Sequence, residues 1–172
     1  MTDLLMTFEA SGISTWLRES QSLWAFPFVL ALHTIGLGLI VGSTVVVDVR
    51  LLGGASRIPL KPLEKFFSIM WIGLALNVVS GLLLFAKEAT TVGISGVFWV
   101  KMSLIALSVW VLMRIKAKVF DDPLVDTRPI SNHVRALALL SIVLWAGAIT
   151  AGRLMAYIGP TQPEADIEFE AQ

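Results

Sequence analysis

Three basic side chains and one amide lie within long apolar segments of this chain. His33, Lys101 and Arg153 are the basic groups, and Asn77 is the amide. A charge at the centre of a membrane costs at least ~2.5 kcal/mol, so such residues are typical of functional sites or of paired groups. Only one acidic residue, Glu88, is expected near them. An anionic or acceptor-rich ligand, such as a haem propionate, a quinone carbonyl or a lipid phosphate, would therefore complete the site.

The three basic residues are expected at one level of the membrane. At ~1.5 Å of rise per residue, His33 lies ~3 Å from the middle of its segment, Lys101 ~6 Å and Arg153 ~9 Å, all toward the same face. Asn77 lies near the middle of its own segment. The predicted cofactor site consists of His33, Asn77, Lys101, Met102, Arg153 and Met155, with His33 as the ligand to any metal. In the competing interpretation, Lys101 and Arg153 extend to the lipid headgroups and His33 bonds a backbone carbonyl.

Haem b is the leading cofactor, with quinone or no cofactor as the alternatives. Many b-type haems are held by two histidines on facing helices. His133, however, lies ~20 Å from the membrane centre by the same rise, and two axial ligands must lie within ~4 Å of each other. His33 would then be the iron ligand, with the other face empty or taken by Met102, Met155, Lys101 or a residue of another chain. Copper is a third option, although the six methionines are scattered and favour packing instead.

Four apolar runs dominate the sequence. They cover about 23–47, 66–86, 97–115 and 134–158, and each approaches the ~20 residues that a helix needs to cross ~30 Å of hydrocarbon. Hydrophobic residues make up 56% of the chain and charged residues 15%, and the mean hydropathy is +0.79. A soluble bundle would instead show a polar stripe along every helix. The sequence thus predicts an all-α protein, a four-helix transmembrane bundle in a single membrane domain over residues 1–160.

The segments outside the four runs are short. An amphipathic pattern over residues 3–20 predicts a helix that lies at the membrane surface. Residues 161–172 are expected to form an acidic, flexible tail. The chain contains no cysteine, which excludes disulfides, thiolate metal sites and cysteine nucleophiles. The sequence also lacks a phosphate-binding loop, an HExxH motif and a basic-aromatic surface, so nucleic acid is not an expected partner.

Basic residues are distributed unequally between the two sides of the predicted bundle. Nine lie on the side of the first and third loops, namely Arg50, Arg57, Lys61, Lys65, Arg114, Lys116, Lys118, Arg128 and Arg135. Four lie on the other side, namely Arg18, Lys87, Lys101 and Arg153. The positive-inside rule then predicts that both termini are outside. In a bacterium this orientation corresponds to a multi-pass protein of the inner membrane with both termini in the periplasm.

Two further patterns predict how the helices pack. Gly38 and Gly42 form a GxxxG pair in the first run, and Gly73, Asn77 and Gly81 repeat at four-residue spacing in the second. The fourth run offers Gly147 with Ala151 and Ala148 with Gly152. Such small residues let helix backbones approach closely. A second polar cluster lies toward the opposite membrane face from His33. It is expected to form structural ion pairs among Asp48, Arg50, Arg114 and Arg135.

Several sequence segments, in their order and spacing, resemble a known family. They are RESQSLWAFP, LHTIGLGLIVGS, VDVRLLGG, SGLLLF, FWVK and AGRLMAY, and the likeness extends from Trp16 to Tyr157. The chain resembles small bacterial four-helix integral membrane proteins that are catalogued as a domain of unknown function, which implies the same fold. A weaker likeness, through His33, Arg50 and Lys101, links it to the copper-resistance D proteins and to small haem-binding membrane protoporphyrinogen oxidases. That likeness implies that His33 is a haem or metal ligand and that Lys101 faces the same cavity.

These features lead to one function hypothesis and one main alternative. The chain would be an integral membrane subunit associated with redox chemistry, which binds haem b or quinone in the outer leaflet and passes electrons to or from a periplasmic partner. In the alternative, it is a non-catalytic structural or accessory subunit of a larger complex or homo-oligomer, and it binds lipid or partner helices. One membrane histidine without a nearby acid does not support a hydrolase triad, and whether the chain is an enzyme is left open.

Overall fold

The computed structural model describes residues 6–7, 10, 12–19 and 25–158, and this part of the chain is helical. Its helices are α1 (Gly12–Glu19), α2 (Phe26–Leu51), α3 (Lys65–Lys87), α4 (Ala89–Gly93), α5 (Gly96–Ile115) and α6 (Asn132–Ile158). A 3₁₀ turn over Lys61–Glu64 leads into α3, and a π-helical turn over Lys116–Phe120 extends α5. The predicted acidic tail lies outside the described residues, as does most of the chain before Gly12.

Four of these helices are long and apolar enough to cross a membrane. They are α2, α3 with its 3₁₀ turn, α5 with its π turn, and α6. Large apolar side chains cover their outward sides; Ile72, Val79 and Leu82, for example, are 57%, 60% and 63% exposed. A surface of this kind suits hydrocarbon and not water. The predicted all-α architecture with four potential membrane spans is confirmed, and the helix boundaries fall within a few residues of the predicted ones.

The four long helices form two antiparallel pairs. α2 packs along α3, and α5 packs along α6. The two pairs are joined by α2 and α6, whereas α3 and α5 hardly touch. We call the end at which α2 begins and α6 ends the terminal end of the bundle, and the opposite end the loop end. The bundle is therefore closed on one side and split on the other, between α3 and α5.

Two glycines let α2 and α3 cross with their backbones in contact. A Cβ atom on Gly36 would lie 2.9 Å from the backbone nitrogen of Asn77 and 3.0 Å from the carbonyl oxygen of Gly73. A Cβ atom on Gly73 would lie 2.8 Å from the backbone nitrogen of Ile40. Side chains at either position would force the helices apart, so this crossing fixes the register in which α3 lies against α2.

The predicted GxxxG pair does not make this crossing. Gly38 and Gly42 are exposed, and among the described residues no atom lies within 4 Å of the place where their Cβ atoms would be. The physical reason is helix rotation, because each residue turns the chain by ~100°. Residues two positions from Gly36 and Ile40 therefore point away from α3. The glycine pair instead forms a smooth outward strip on α2.

The short helix α1 packs on the terminal end of α3. The buried hydroxyl of Ser14 donates a hydrogen bond to the carbonyl of Ala86, at 2.8 Å. Nearby, the Lys87 ammonium lies 4.2 Å from the centre of the Phe26 ring. The first contact joins α1 to the end of α3, and the second joins the start of α2 to it. The location of α1 at a membrane surface stays a prediction.

Most of the buried apolar core lies toward the loop end. There the Phe120 ring, which is 1% exposed, meets the Phe67 ring edge-on with centroids 5.0 Å apart. This pair connects α3 to the π turn of α5. The Asp126 carboxylate in the last loop accepts hydrogen bonds from the backbone N–H groups of Leu60 and Lys61, just before α3. The split between α3 and α5 is thus closed at the loop end.

The predicted ion pairs of Asp48 are not formed, and this prediction was wrong. Asp48 is 1% exposed, and neither carboxylate oxygen has a hydrogen-bond partner in the described part of the chain. Arg50 instead donates from Nε to the carbonyl of Ile58 at 2.6 Å, and Arg114 stacks on a tryptophan ring at 5.0 Å. Arg135 is exposed. The arginines lie at helix ends and turn outward, whereas Asp48 is turned into the bundle.

Candidate functional site

A cleft lies between α3 and α5 in the terminal half of the bundle. Its volume is about 490 Å³, within the range of small-molecule sites. Exposed apolar side chains line its mouth, namely Val78, Leu82, Trp99 and Met102. Half-buried polar side chains line it at depth, namely His33, Asn77 and Lys101. A ligand in the cleft would meet an apolar mouth on the lipid side and polar groups inside.

Aromatic rings close the cleft toward the terminal end. The Phe85 and Phe98 rings stack with centroids 5.2 Å apart, and Trp99 meets Phe98 edge-on at 5.4 Å. The indole N–H of Trp99 donates to the carbonyl of Gly93 at 3.1 Å, which ties α4 to the start of α5. Rings held in this way present flat faces, against which a flat ligand can stack.

The position of the proton on a neutral His33 ring follows from its neighbour Ser80. His33 Nδ1 and Ser80 Oγ are 3.0 Å apart. A serine hydroxyl has a single proton, and Ser80 donates it to the Leu76 carbonyl at 2.6 Å. We therefore assign the ring proton to Nδ1, which donates it to Ser80. In this tautomer Nε2 carries a free lone pair, and it has no hydrogen-bond partner among the described residues.

One face of α3 forms the seat of His33. The Asn77 side-chain amide donates to the backbone carbonyl of His33 at 3.0 Å. Gly81 leaves room for the ring, because a Cβ atom there would lie 3.2 Å from His33 Cε1. Asn77, Ser80 and Gly81 are spaced by three and four residues, which places them on one side of a helix. His33 is thus held by hydrogen bonds at its backbone carbonyl and at Nδ1, and one edge of its ring packs on Gly81. Nε2 is available to a ligand.

Lys101, which belongs to the other helix pair, lies beside His33 in the inner wall of the cleft. Its side chain crosses α6 at Gly152, where a Cβ atom would lie 3.6 Å from Lys101 Cε and Nζ. Lys101 lines the cleft together with His33 and is close enough to act on it electrostatically. Its ammonium has no hydrogen-bond partner in the described part of the chain. The wall therefore combines a lone pair on His33 with an unpaired cation on Lys101.

A second cavity shares this wall and extends toward the terminal end. Its volume is about 310 Å³, and His33 and Lys101 line it as they line the cleft. Met155 of α6 contributes to its surface. Lys87 and Glu88 also line it, and they form an ion pair at 2.9 Å. His33 and Lys101 thus separate a lipid-side cleft from a cavity near the bundle end.

Comparisons of the chain with protein-family models, with curated proteins and with solved structures gave no match. The family resemblance that the sequence suggests therefore stays a prediction. The function of the chain has to be inferred from the geometry of its site.

The structure brings most of the predicted site residues together. Those that line the cleft or the second cavity are His33, Asn77, Lys101, Met102 and Met155. Arg153 is not among them, because it is exposed on α6 and lines neither space. His133 is exposed near the loop end, far along the bundle from His33. Among the described residues, no three His, Asp or Glu side chains converge as a metal site.

The sequence analysis does not predict that Ser80 and the aromatic rings belong to the site. Ser80 fixes the His33 ring, yet serines in apolar helices usually bond their own backbone, and nothing singled this one out. The sequence did offer one signal. Ser80 follows Asn77 by three residues, and residues three apart lie on the same face of a helix. The rings of Phe85 and Phe98 come from different helices. Their contact depends on how α3 and α5 are placed, which no local pattern reports.

We expect Ser80→Ala to change the tautomer of His33. In protein labelled with [¹⁵N]histidine, the wild-type His33 ring should show its proton on Nδ1 by NMR. Without the Ser80 acceptor, the Nε2-protonated form should grow, at a stability cost of about 1 kcal/mol. The other histidine, His133, is exposed and serves as the internal reference.

Ser103→Ala is the matched control for this experiment. Ser103 donates to the carbonyl of Trp99 four residues earlier, at 2.9 Å, and it forms no bond with His33. The control should therefore leave both histidine spectra unchanged. An unchanged His33 spectrum in Ser80→Ala would contradict the assigned hydrogen bond.

Proposed function

We propose that this protein is a redox-associated membrane subunit that binds a quinone in the cleft between α3 and α5 and exchanges electrons with a partner protein. One observation carries the proposal: an apolar mouth, flat aromatic rings and the polar pair His33 and Lys101 all line a single cleft. A quinone has the complementary features, namely a flat ring, carbonyl oxygens and an apolar tail. The tail would leave through the split between α3 and α5 into lipid.

The two polar groups suit the two redox states of such a ligand. The Lys101 ammonium is a donor for a quinone carbonyl, and hydrogen bonds of this charge-assisted type are strong. The lone pair on His33 Nε2 is an acceptor for a quinol hydroxyl. Oxidation of one quinol to the quinone releases two electrons and two protons. His33 Nε2 takes one proton, the other leaves to solvent, and the electrons pass to a redox group in the partner.

We also propose how the chain is oriented across the membrane. The side of the first and third loops, which is the loop end, carries most of the basic residues, and such residues stay in the cytoplasm. The terminal end would then face the periplasm of a bacterial inner membrane, and the cleft would lie in the outer leaflet. A periplasmic partner docked at the terminal end would lie beside the second cavity.

Haem b is a second candidate, favoured by the state of the His33 ring. A neutral imidazole with a free Nε2 and a hydrogen bond at Nδ1 has the arrangement of a metal ligand. Met102 lines the same cleft, and a thioether is a known second axial ligand. Lys101 would then pair with a haem propionate. The likeness of the sequence to small haem-binding membrane proteins points to the same candidate.

An accessory role without redox chemistry is favoured by the outward strip on α2. Gly38 and Gly42 are exposed, and membrane helices associate at such small residues. In this role the strip would bind a partner helix or a second copy of the chain, and Lys101 would bind a lipid phosphate.

Quinone binding by matched lysine variants tests the proposal. Organic extracts of the purified protein should contain quinone. Added short-chain quinone should quench the fluorescence of Trp99, measured as the difference between the wild type and Trp99→Phe. Lys101→Met should weaken binding about tenfold or more, because a hydrogen bond from a charged group contributes ~1.5–3 kcal/mol. Lys87→Met is the control, since the Lys87 ammonium is paired with Glu88, and it should change binding less than about twofold.

Spectra of the same sample separate the other candidates. A Soret band and a positive pyridine haemochrome assay that are lost in His33→Ala would replace quinone with haem b. Copper found by elemental analysis, with a dependence on Met102 or Met155, would indicate copper handling. Colourless protein that contains no quinone and binds none would contradict the redox proposal and favour the accessory role.

A further inference from the structure

Among the described residues, three carry buried polar side-chain atoms that lack a hydrogen-bond partner. In the described part of the chain they are both oxygens of Asp48, Oγ of Ser141 and Nε1 of Trp145. Asp48 belongs to α2, and the other two lie about one turn apart on α6. Their exposures are 1%, 0% and 2%. More than ~90% of buried polar groups in proteins have a partner, so a buried carboxyl with two unpartnered oxygens requires a physical explanation.

One neighbouring hydroxyl acts on Asp48. Ser141 faces the carboxyl from α6, at a separation longer than an ordinary hydrogen bond. Thr44 donates its hydroxyl proton to the carbonyl of Ile40 at 2.7 Å. Ser108 of α5 likewise donates to the carbonyl four residues earlier, at 2.7 Å. Asp48 therefore lies among hydroxyls whose protons are used within their own helices, with Ser141 as the exception.

Charged side chains on the surrounding helices are directed elsewhere. Among the described residues, burial and Ser141 are the influences on the Asp48 carboxyl, and no charged group acts on it. Arg50 bonds a loop carbonyl, and Arg114 stacks on a tryptophan. The remaining charged groups of the described residues near the loop end are exposed or paired. They are Lys61 with Glu64, Lys116 with Asp121, Arg128 with Asp122, Asp126 with backbone N–H groups, and the exposed Arg57, Lys65, Lys118, His133 and Arg135. An ionised Asp48 would have no counter-charge.

We propose that Asp48 is a proton-binding site, held as a neutral carboxylic acid that faces Ser141 of α6. A proton added to one carboxylate oxygen removes a charge that the bundle interior does not balance. The protonated carboxyl can donate to Oγ of Ser141, which has no other partner in the described part of the chain. This site is independent of the proposed quinone cleft.

Infrared spectroscopy of the full-length protein in detergent tests this site. At neutral pH, the wild type should show the C=O stretching band of a protonated carboxylic acid, and the band should move to lower frequency in D₂O. It should also move when aspartate is labelled with ¹³C at the side-chain carboxyl. Asp48→Asn should remove it. Asp121→Asn is the control, because the Asp121 carboxylate is exposed and paired with Lys116 at 3.0 Å, and the band should stay.

Three outcomes decide the proposal. A label-sensitive band in the wild type that shifts in Ser141→Ala supports it. The lack of such a band in labelled wild-type protein at neutral pH shows that Asp48 is ionised and overturns it. A sodium-dependent gain in thermal stability without the band identifies a cation site and overturns it as well. The decisive quantity is the ¹³C-induced shift of the band in wild-type protein, so the test holds even if Asp48→Asn does not fold.

Discussion

Gly73→Ala is expected to lower the free energy of unfolding by roughly 1–3 kcal/mol or more, the usual cost of an added group in a filled interior. The new Cβ atom would lie 2.8 Å from the backbone nitrogen of Ile40 and 2.9 Å from the carbonyl oxygen of Gly36. Both are backbone atoms, so no side-chain rotation relieves the contact, and α2 must move away from α3. Unfolding by SDS titration, followed by circular dichroism, measures the loss.

Gly42→Ala is the matched control for this substitution. Among the described residues, nothing lies within 4 Å of the Cβ position at Gly42, and alanine favours a helix over glycine by ~1 kcal/mol. This variant should be as stable as the wild type or more stable. Equal destabilisation by both substitutions would contradict the crossing at Gly73. The crossing also sets the distance between His33 and Ser80, so Gly73→Ala should disturb the ¹⁵N spectrum of His33.

Phe120→Ala is expected to cost about 3–5 kcal/mol, as removal of a buried phenylalanine usually does. Phe120 is 1% exposed, and its ring meets Phe67 with centroids 5.0 Å apart. The loss should be large because the backbones of α3 and α5 hardly approach each other, and the other ring pair between them, Phe85 with Phe98, lies toward the terminal end. The same SDS titration measures it. Without this pair, the split between the two helix pairs would extend toward the loop end.

Trp110→Ala separates this effect from the loss of any large ring. Trp110 lies on α5 and is 47% exposed, with the Arg114 guanidinium over its ring. Substitutions at exposed positions usually change stability by less than about 0.5 kcal/mol. If Trp110→Ala destabilised the protein as much as Phe120→Ala, the Phe67 and Phe120 pair would not be the link that we describe.

The spans could be predicted from the sequence because they depend on length and composition alone. Each run is apolar on all sides, and a helix is the structure that satisfies its backbone in lipid. Helix pairing could not be predicted in the same way. Gly73 belongs to the predicted small-residue repeat of the second span and does make the contact. On α2, however, Gly36 meets it and the GxxxG pair of Gly38 and Gly42 does not, and both choices are compatible with the local pattern. Only the rotation of α2 about its axis distinguishes them.

The candidate site could be predicted in part. Lys101 and His33 were found because polar groups in apolar helices are rare, and depth along each helix follows from a fixed rise per residue. Arg153 has the same chemistry and a similar depth, yet it faces outward, since depth does not report direction around the helix. For Asp48 the sequence offered three arginines as partners. Burial between α2 and α6 excludes all three, and it depends on contacts between the first and last spans.

The order of the helices along the chain decides when the cleft wall can form during synthesis. The seat of His33 on α3 is complete once the first two spans have entered the membrane. Lys101 enters later, and its support at Gly152 is on α6, which is the last span to be made. α6 is also the helix that joins the two pairs through α2. The wall that contains both residues therefore has its full set of contacts only when the last helix is in place.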